Sequence, residues 1–71
     1  MSRQFTEYEP NATYTQDGKT ERLFTYDSAL SEKEAMKAID CWRNDYKFPL
    51  DKAWIDVRED GQIVRTIEVE L

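Results

Sequence analysis

Asp-Gly occurs twice in this sequence, at Asp17-Gly18 and at Asp60-Gly61, and Thr, Tyr, Ile and Val are frequent on both sides of each pair. Asp-Gly favours the positive backbone φ that a tight hairpin turn needs, and the flanking residue types suit extended chain. Two hairpins therefore bracket the sequence. Between them, Ser31-Glu32-Lys33-Glu34 has the form of a capping box, with Ser31 at the N-cap and Glu34 three residues on. Leu30 is placed to staple onto Ala35, and Glu32 and Glu34 favour the positive end of a helix dipole.

Ala35, Ile39, Trp42 and Tyr46 then recur at helical spacing, flanked by Met36 and Ala38, while Lys33, Lys37, Asp40 and Asn44 fall on the other side. Pro49 closes the segment, because the residue before a proline avoids helical angles. The element order is strand, strand, helix, strand, strand. It predicts one small α+β domain over residues 1–71, a two-layer ββαββ sandwich whose four-stranded antiparallel sheet carries one helix on one face. Strand orders 2-1-3-4 and 1-2-4-3 both keep every neighbour antiparallel.

Side-chain segregation guides the register, since a sheet face covered by a helix must be apolar. In the second hairpin, a two-residue loop pairs Val57 with Val64 and Trp54 with Ile67. A three-residue loop, Glu59-Asp60-Gly61, pairs Val57 with Ile63 and Ala53 with Ile67. The second choice segregates better: Ala53, Ile55, Val57, Ile63, Ile67 and Val69 share one face, broken only by Arg65. The same logic in the first hairpin gives a Gln16-Asp17-Gly18 loop that pairs Tyr14 with Thr20 and Tyr8 with Tyr26. Tyr8, Ala12, Tyr14, Phe24 and Tyr26 then share a face, with Leu23 and Thr25 on the other beside Thr13 and Thr15. Pro10 cannot donate to a ladder, so it predicts an edge, a bulge or a break.

Composition narrows the functions. The chain has 71 residues, nine aromatics, a net charge of −5, no His and a single Cys41. A core this small supplies roughly 3–5 kcal/mol. Without His, the usual zinc sites and the Ser-His and Cys-His pairs are not available from this sequence. Cys41 lies off the centre of the apolar helix stripe and reads as a small packing residue; with no internal disulfide possible, it fits a reducing, cytoplasmic setting. Neither a membrane-spanning run nor a secretory signal is expected. Asn11-Ala12-Thr13 has the form of a glycosylation acceptor, read here as a chance match without such a signal. The acidic balance argues against direct nucleic-acid binding, which wants a basic footprint. No cofactor, metal or catalytic residue is expected, and the reading is non-enzymatic.

One helix covers one sheet face and leaves the other for solvent or a partner. In the favoured register that face presents Trp54, Val64 and Thr66, ringed by Asp56, Arg58, Glu68 and Glu70. A Trp with a polar rim has the make-up of a binding hot spot. The opposite register would turn Trp54 into the core. The carboxylates form loose groups (Glu7 and Glu9; Asp56, Glu59 and Asp60; Glu68 and Glu70), with Lys52, Arg58 and Arg65 interspersed. They suit solubility, or a basic protein partner approached by charge steering. In size, charge and element order alone, the chain resembles small acidic inhibitors from phages and mobile elements. That analogy implies a protein-binding inhibitor or adaptor acting on a host complex. The alternatives are a homodimer formed through the open face or an edge strand, and an acidic mimic of nucleic acid that occupies a nucleic-acid-binding protein.

Overall fold

A computed structural model describes residues 6–25, 28–45 and 49–71. The elements are β1 (Thr6–Gln16), β2 (Lys19–Phe24), α1 (Glu32–Asp45), β3 (Leu50–Glu59) and β4 (Gln62–Val69). The four strands form one antiparallel sheet in the order β2-β1-β3-β4, with α1 packed on β1 and β3. The two longest strands are thus central, and residues on both of their faces are buried: Asn11 and Ala12 in β1, Ile55 and Asp56 in β3. The more exposed β2 and β4 take the edges, where Lys19, Glu21, Arg65 and Glu68 discourage further strand pairing.

The core lies between α1 and the central strands. Ala12 pairs directly with Ala53. These two small side chains leave room on the sheet for Ile39, which is fully buried together with Ala35 and Ile55. Tyr8, Leu23, Met36, Trp42, Leu50, Ile67 and Val69 close the margin. Burying one such Ile side chain contributes about 1.5–3 kcal/mol, so a few residues carry most of the stability.

α1 begins as the capping box requires. The Glu34 N–H donates to Ser31 Oγ at 3.2 Å, and the Ala35 N–H donates to the Ser31 carbonyl, also at 3.2 Å. The return bond differs: Glu34 Oε2 accepts from the Leu30 N–H at 3.3 Å rather than from Ser31. Leu30 itself is 73% exposed, so the expected staple onto Ala35 does not enclose it. Cys41 is also exposed, on the solvent side of the helix, and is not the packing residue that its sequence position implied. Tyr46 and Tyr26 lie outside the described residues.

Both hairpins turn more tightly than expected. Asp17 and Gly18 have φ of 52° and 78°, and Asp60 and Gly61 have 51° and 82°. Positive φ at both central residues marks a two-residue type I′ turn, closed by Gln16 with Lys19 and by Glu59 with Gln62. In the first hairpin the shorter loop moves the register by one residue and reverses the faces of β2. Leu23 joins Ala12 under the helix, and Phe24 lies opposite Asn11 on the other face. In the second hairpin a bulge at Val64 absorbs the difference, with Arg58 opposite Ile63 but Val57 opposite Arg65. Ile67 and Val69 therefore return to the core face as expected, whereas Ile63 does not.

Pro10 neither ends nor breaks β1: it lies inside the strand, opposite Ile55. Tyr8 and Ala29 exchange two backbone bonds, of 2.8 and 2.9 Å. Backbone nitrogens two residues apart along a strand point to the same side, so the nitrogen of Pro10 points away from β3. On that side β2 has already stopped, at Phe24 opposite Asn11. The missing N–H thus falls in the gap between β2 and the Tyr8–Ala29 bridge, where no ladder bond is lost.

Candidate functional site: the uncovered sheet face

Alternation along the strands places Glu9, Asn11 and Thr13 on the face away from α1, together with Lys52, Trp54, Asp56 and Arg58. The edges add Arg22 and Phe24 from β2, and Thr66 and Glu68 from β4. No described element packs over this face.

A row of polar side chains crosses all four strands. Arg22 donates to Asn11 Oδ1 through Nε at 3.2 Å and through Nη2 at 2.6 Å. Asn11 Nδ2 donates to Asp56 Oδ2 at 3.3 Å and to the Glu9 carbonyl at 3.1 Å. Thr66 Oγ1 donates to Asp56 Oδ1 at 3.0 Å. Arginine only donates and a carboxylate only accepts, so the two neighbours fix which way the Asn11 amide points. Asn11 is 1% exposed and Asp56 is 9% exposed. Burial at this depth is tolerable because every such polar atom among the described residues has a partner.

Above Asn11, the Arg22 guanidinium lies 6.0 Å from the centre of the Phe24 ring and 5.8 Å from that of Trp54. Each contact contributes about 0.5–1 kcal/mol at an exposed site. Trp54 is half-buried on this face and outside the core. Arg58 Nε donates to Glu9 Oε2 at 2.9 Å, a half-exposed ion pair worth at most about 1 kcal/mol. Two shallow depressions flank the centre. One, of about 230 Å³, is lined by Arg22, Phe24, Arg58, Glu9 and Asn11 among others. The other, of about 600 Å³, is lined by Trp54, Asp56, Thr66 and Glu68, with Asp51 and Lys52.

Five of the residues singled out from the sequence do meet on this face: Trp54, Asp56, Arg58, Thr66 and Glu68. Val64 does not take the expected place, because it is the bulged residue and Ile63 lies opposite Arg58 instead; both are about half exposed. Glu70 follows the end of β4. Sequence reasoning missed Asn11, Arg22 and Phe24. Asn11 had a signal, as a polar residue between Pro10 and Ala12 in a strand, with its alternate face free of the helix. Arg22 and Phe24 followed only from the true register of the first hairpin.

The face mixes charges rather than being uniformly acidic: Arg22 comes from β2, Glu9 from β1, Lys52, Asp56 and Arg58 from β3, and Glu68 from β4. Among the described residues, no group of three or more His, Cys, Asp or Glu is arranged to hold a metal ion, and no helix is long and apolar enough to cross a membrane. No protein-family model, curated protein or solved structure matches the chain.

Proposed function

We propose that the chain is a non-enzymatic protein-binding module, an inhibitor or adaptor that docks a partner polypeptide on the uncovered sheet face. The observation that carries this reading is the stack of Arg22 on Trp54 and Phe24, held from below by the buried Asn11. Aromatic and arginine side chains fixed before contact are the residue types that dominate interfaces, because little conformational entropy remains to be lost. The partner is a protein whose contact surface carries both signs of charge, to match the mixed charges of this face. Arg22 and Arg58 interrupt any continuous anionic strip, which makes mimicry of nucleic acid the weaker account.

Capture from lysate of the source cell, followed by titration of the purified partner, tests this reading. Wild type is compared with Trp54→Ala and with Lys37→Ala on the far side of the helix, after circular dichroism has confirmed folding. Direct binding by wild type and Lys37→Ala, weakened by Trp54→Ala at least about tenfold, supports the docking face. Equal binding by all three removes it.

A further inference from the structure

We propose that the depression beside Arg22 is a subsite for one carboxylate side chain, Asp or Glu, of the docked polypeptide. The inference rests on the docking face described above and names the chemistry that one part of it receives.

Arg22 is the cation on this face whose hydrogen bonds run to a neutral group. Both go to the amide oxygen of Asn11, and no carboxylate pairs with Arg22 among the described residues. Arg58 lines the same depression and is paired with Glu9. Two guanidinium groups against one carboxylate leave this depression positive, in a chain whose net charge is −5. General acidity for solubility does not account for a local excess of the opposite sign.

Geometry points the same way. A guanidinium has five N–H donors in a planar fork, and the bonds to Asn11 use only part of that set. The donors not directed at Asn11 remain for an incoming acceptor. The Trp54 and Phe24 rings hold the guanidinium, so a partner carboxylate does not have to immobilise a free arginine. Charge selects the kind of anion. One net positive charge beside Glu9 matches a monoanion, and a phosphate carrying close to two negative charges would meet the Glu9 carboxylate and the acidic chain around it.

The test uses the intact, isotope-labelled protein followed by NMR at fixed ionic strength. The probes are N-acetyl-glutamate amide, N-acetyl-glutamine amide and inorganic phosphate. The glutamate probe should produce saturable shifts of the Arg22 Nε–H and Trp54 indole N–H resonances, and the glutamine probe should not. Arg22→Gln should weaken the glutamate probe about tenfold or more, the scale of one charge-assisted hydrogen bond. Should Arg22→Gln not fold, Glu9→Gln gives an independent reading: it leaves Arg22 in place, removes the competing carboxylate, and should tighten the glutamate probe severalfold.

Equal shifts from the glutamate and glutamine probes would overturn the proposal. So would tighter binding of phosphate than of glutamate, or a Glu9→Gln variant that binds glutamate no better than wild type. The two readings fail separately. If glutamate does not bind but capture still depends on Trp54, the subsite falls and the docking face stands. If glutamate binds but capture ignores Trp54, the docking face falls, and with it the assignment of the subsite to a partner.

Discussion

Asn11 and Arg22 are joined through a single oxygen: the Asn11 carbonyl accepts from Nε at 3.2 Å and from Nη2 at 2.6 Å. One member is fully buried and the other exposed. The pair ties the edge strand β2 to the centre of the sheet by side chains as well as by its backbone ladder. It also carries the surface feature, because the buried amide sets where the guanidinium rests against Trp54 and Phe24.

Asn11→Ala should therefore affect both stability and the surface. It removes the acceptor of Arg22 and one donor to Asp56, a carboxylate with only 9% exposure. A loss of about 1–3 kcal/mol is expected, from the general cost of leaving buried polar groups unpaired. Thr66→Val, at an exposed position where water can replace the hydroxyl, should cost less than about 1 kcal/mol. Urea denaturation of the two variants checks the order.

Ile39→Ala tests how thin the core is. Truncating a fully buried Ile costs about 2–5 kcal/mol, against roughly 3–5 kcal/mol for a domain of this size. A large unfolded fraction at 25 °C is expected by circular dichroism. Ile39→Val, at about 0.5–1.5 kcal/mol, should keep the fold with a lower melting temperature.

The two turn glycines have positive φ, 78° at Gly18 and 82° at Gly61, and a Cβ at either would meet nothing within 4 Å. Replacement by L-Ala thus carries a conformational cost and no clash. Gly18→Ala and Gly61→Ala should each lose about 1–2 kcal/mol. A synthetic chain with D-Ala at either position should match or exceed the wild-type melting temperature, since D-Ala favours positive φ.

Ser31→Ala removes the side-chain acceptor for the Glu34 N–H. About 1 kcal/mol of stability should go with it, which is about 4–8 °C in melting temperature for a small domain. Ser31→Asp should recover most of that loss in a thermal melt.

Elements marked by local chemistry were readable before the structure. Asp-Gly placed both turns, Ser31 with Glu34 placed the start of α1, and the Ala35–Ile39–Trp42 spacing found its buried side. Register was harder, because it depends on a difference of one residue in loop length. In the first hairpin Leu23 and Phe24 are adjacent and both apolar, so hydrophobic patterning had no means of choosing which faces the helix. The second hairpin kept most of its expected faces because the bulge at Val64 restored the alternation. The buried row through Asn11 and Asp56 was hidden for a related reason. Polar residues at alternate strand positions look like solvent contacts until the pairing brings them together.

The strand order has a kinetic consequence. β1–β2 and β3–β4 are hairpins closed by two-residue turns, and hairpins of this kind form in about 1–10 μs. The sheet is sewn together by β1 with β3, which joins the first hairpin to the second across the helix, as in the pairing of Glu9 with Asp56. That seam also provides the surface on which α1 packs. Neither hairpin has a covered face until it closes, so the slow step of folding is expected to be the meeting of two preformed halves around the helix. Destabilising either turn, as in Gly18→Ala or Gly61→Ala, should therefore slow refolding by depleting the preformed hairpins, while Ala12→Gly or Ala53→Gly at the seam, where packing is completed last, should show more of its effect as faster unfolding.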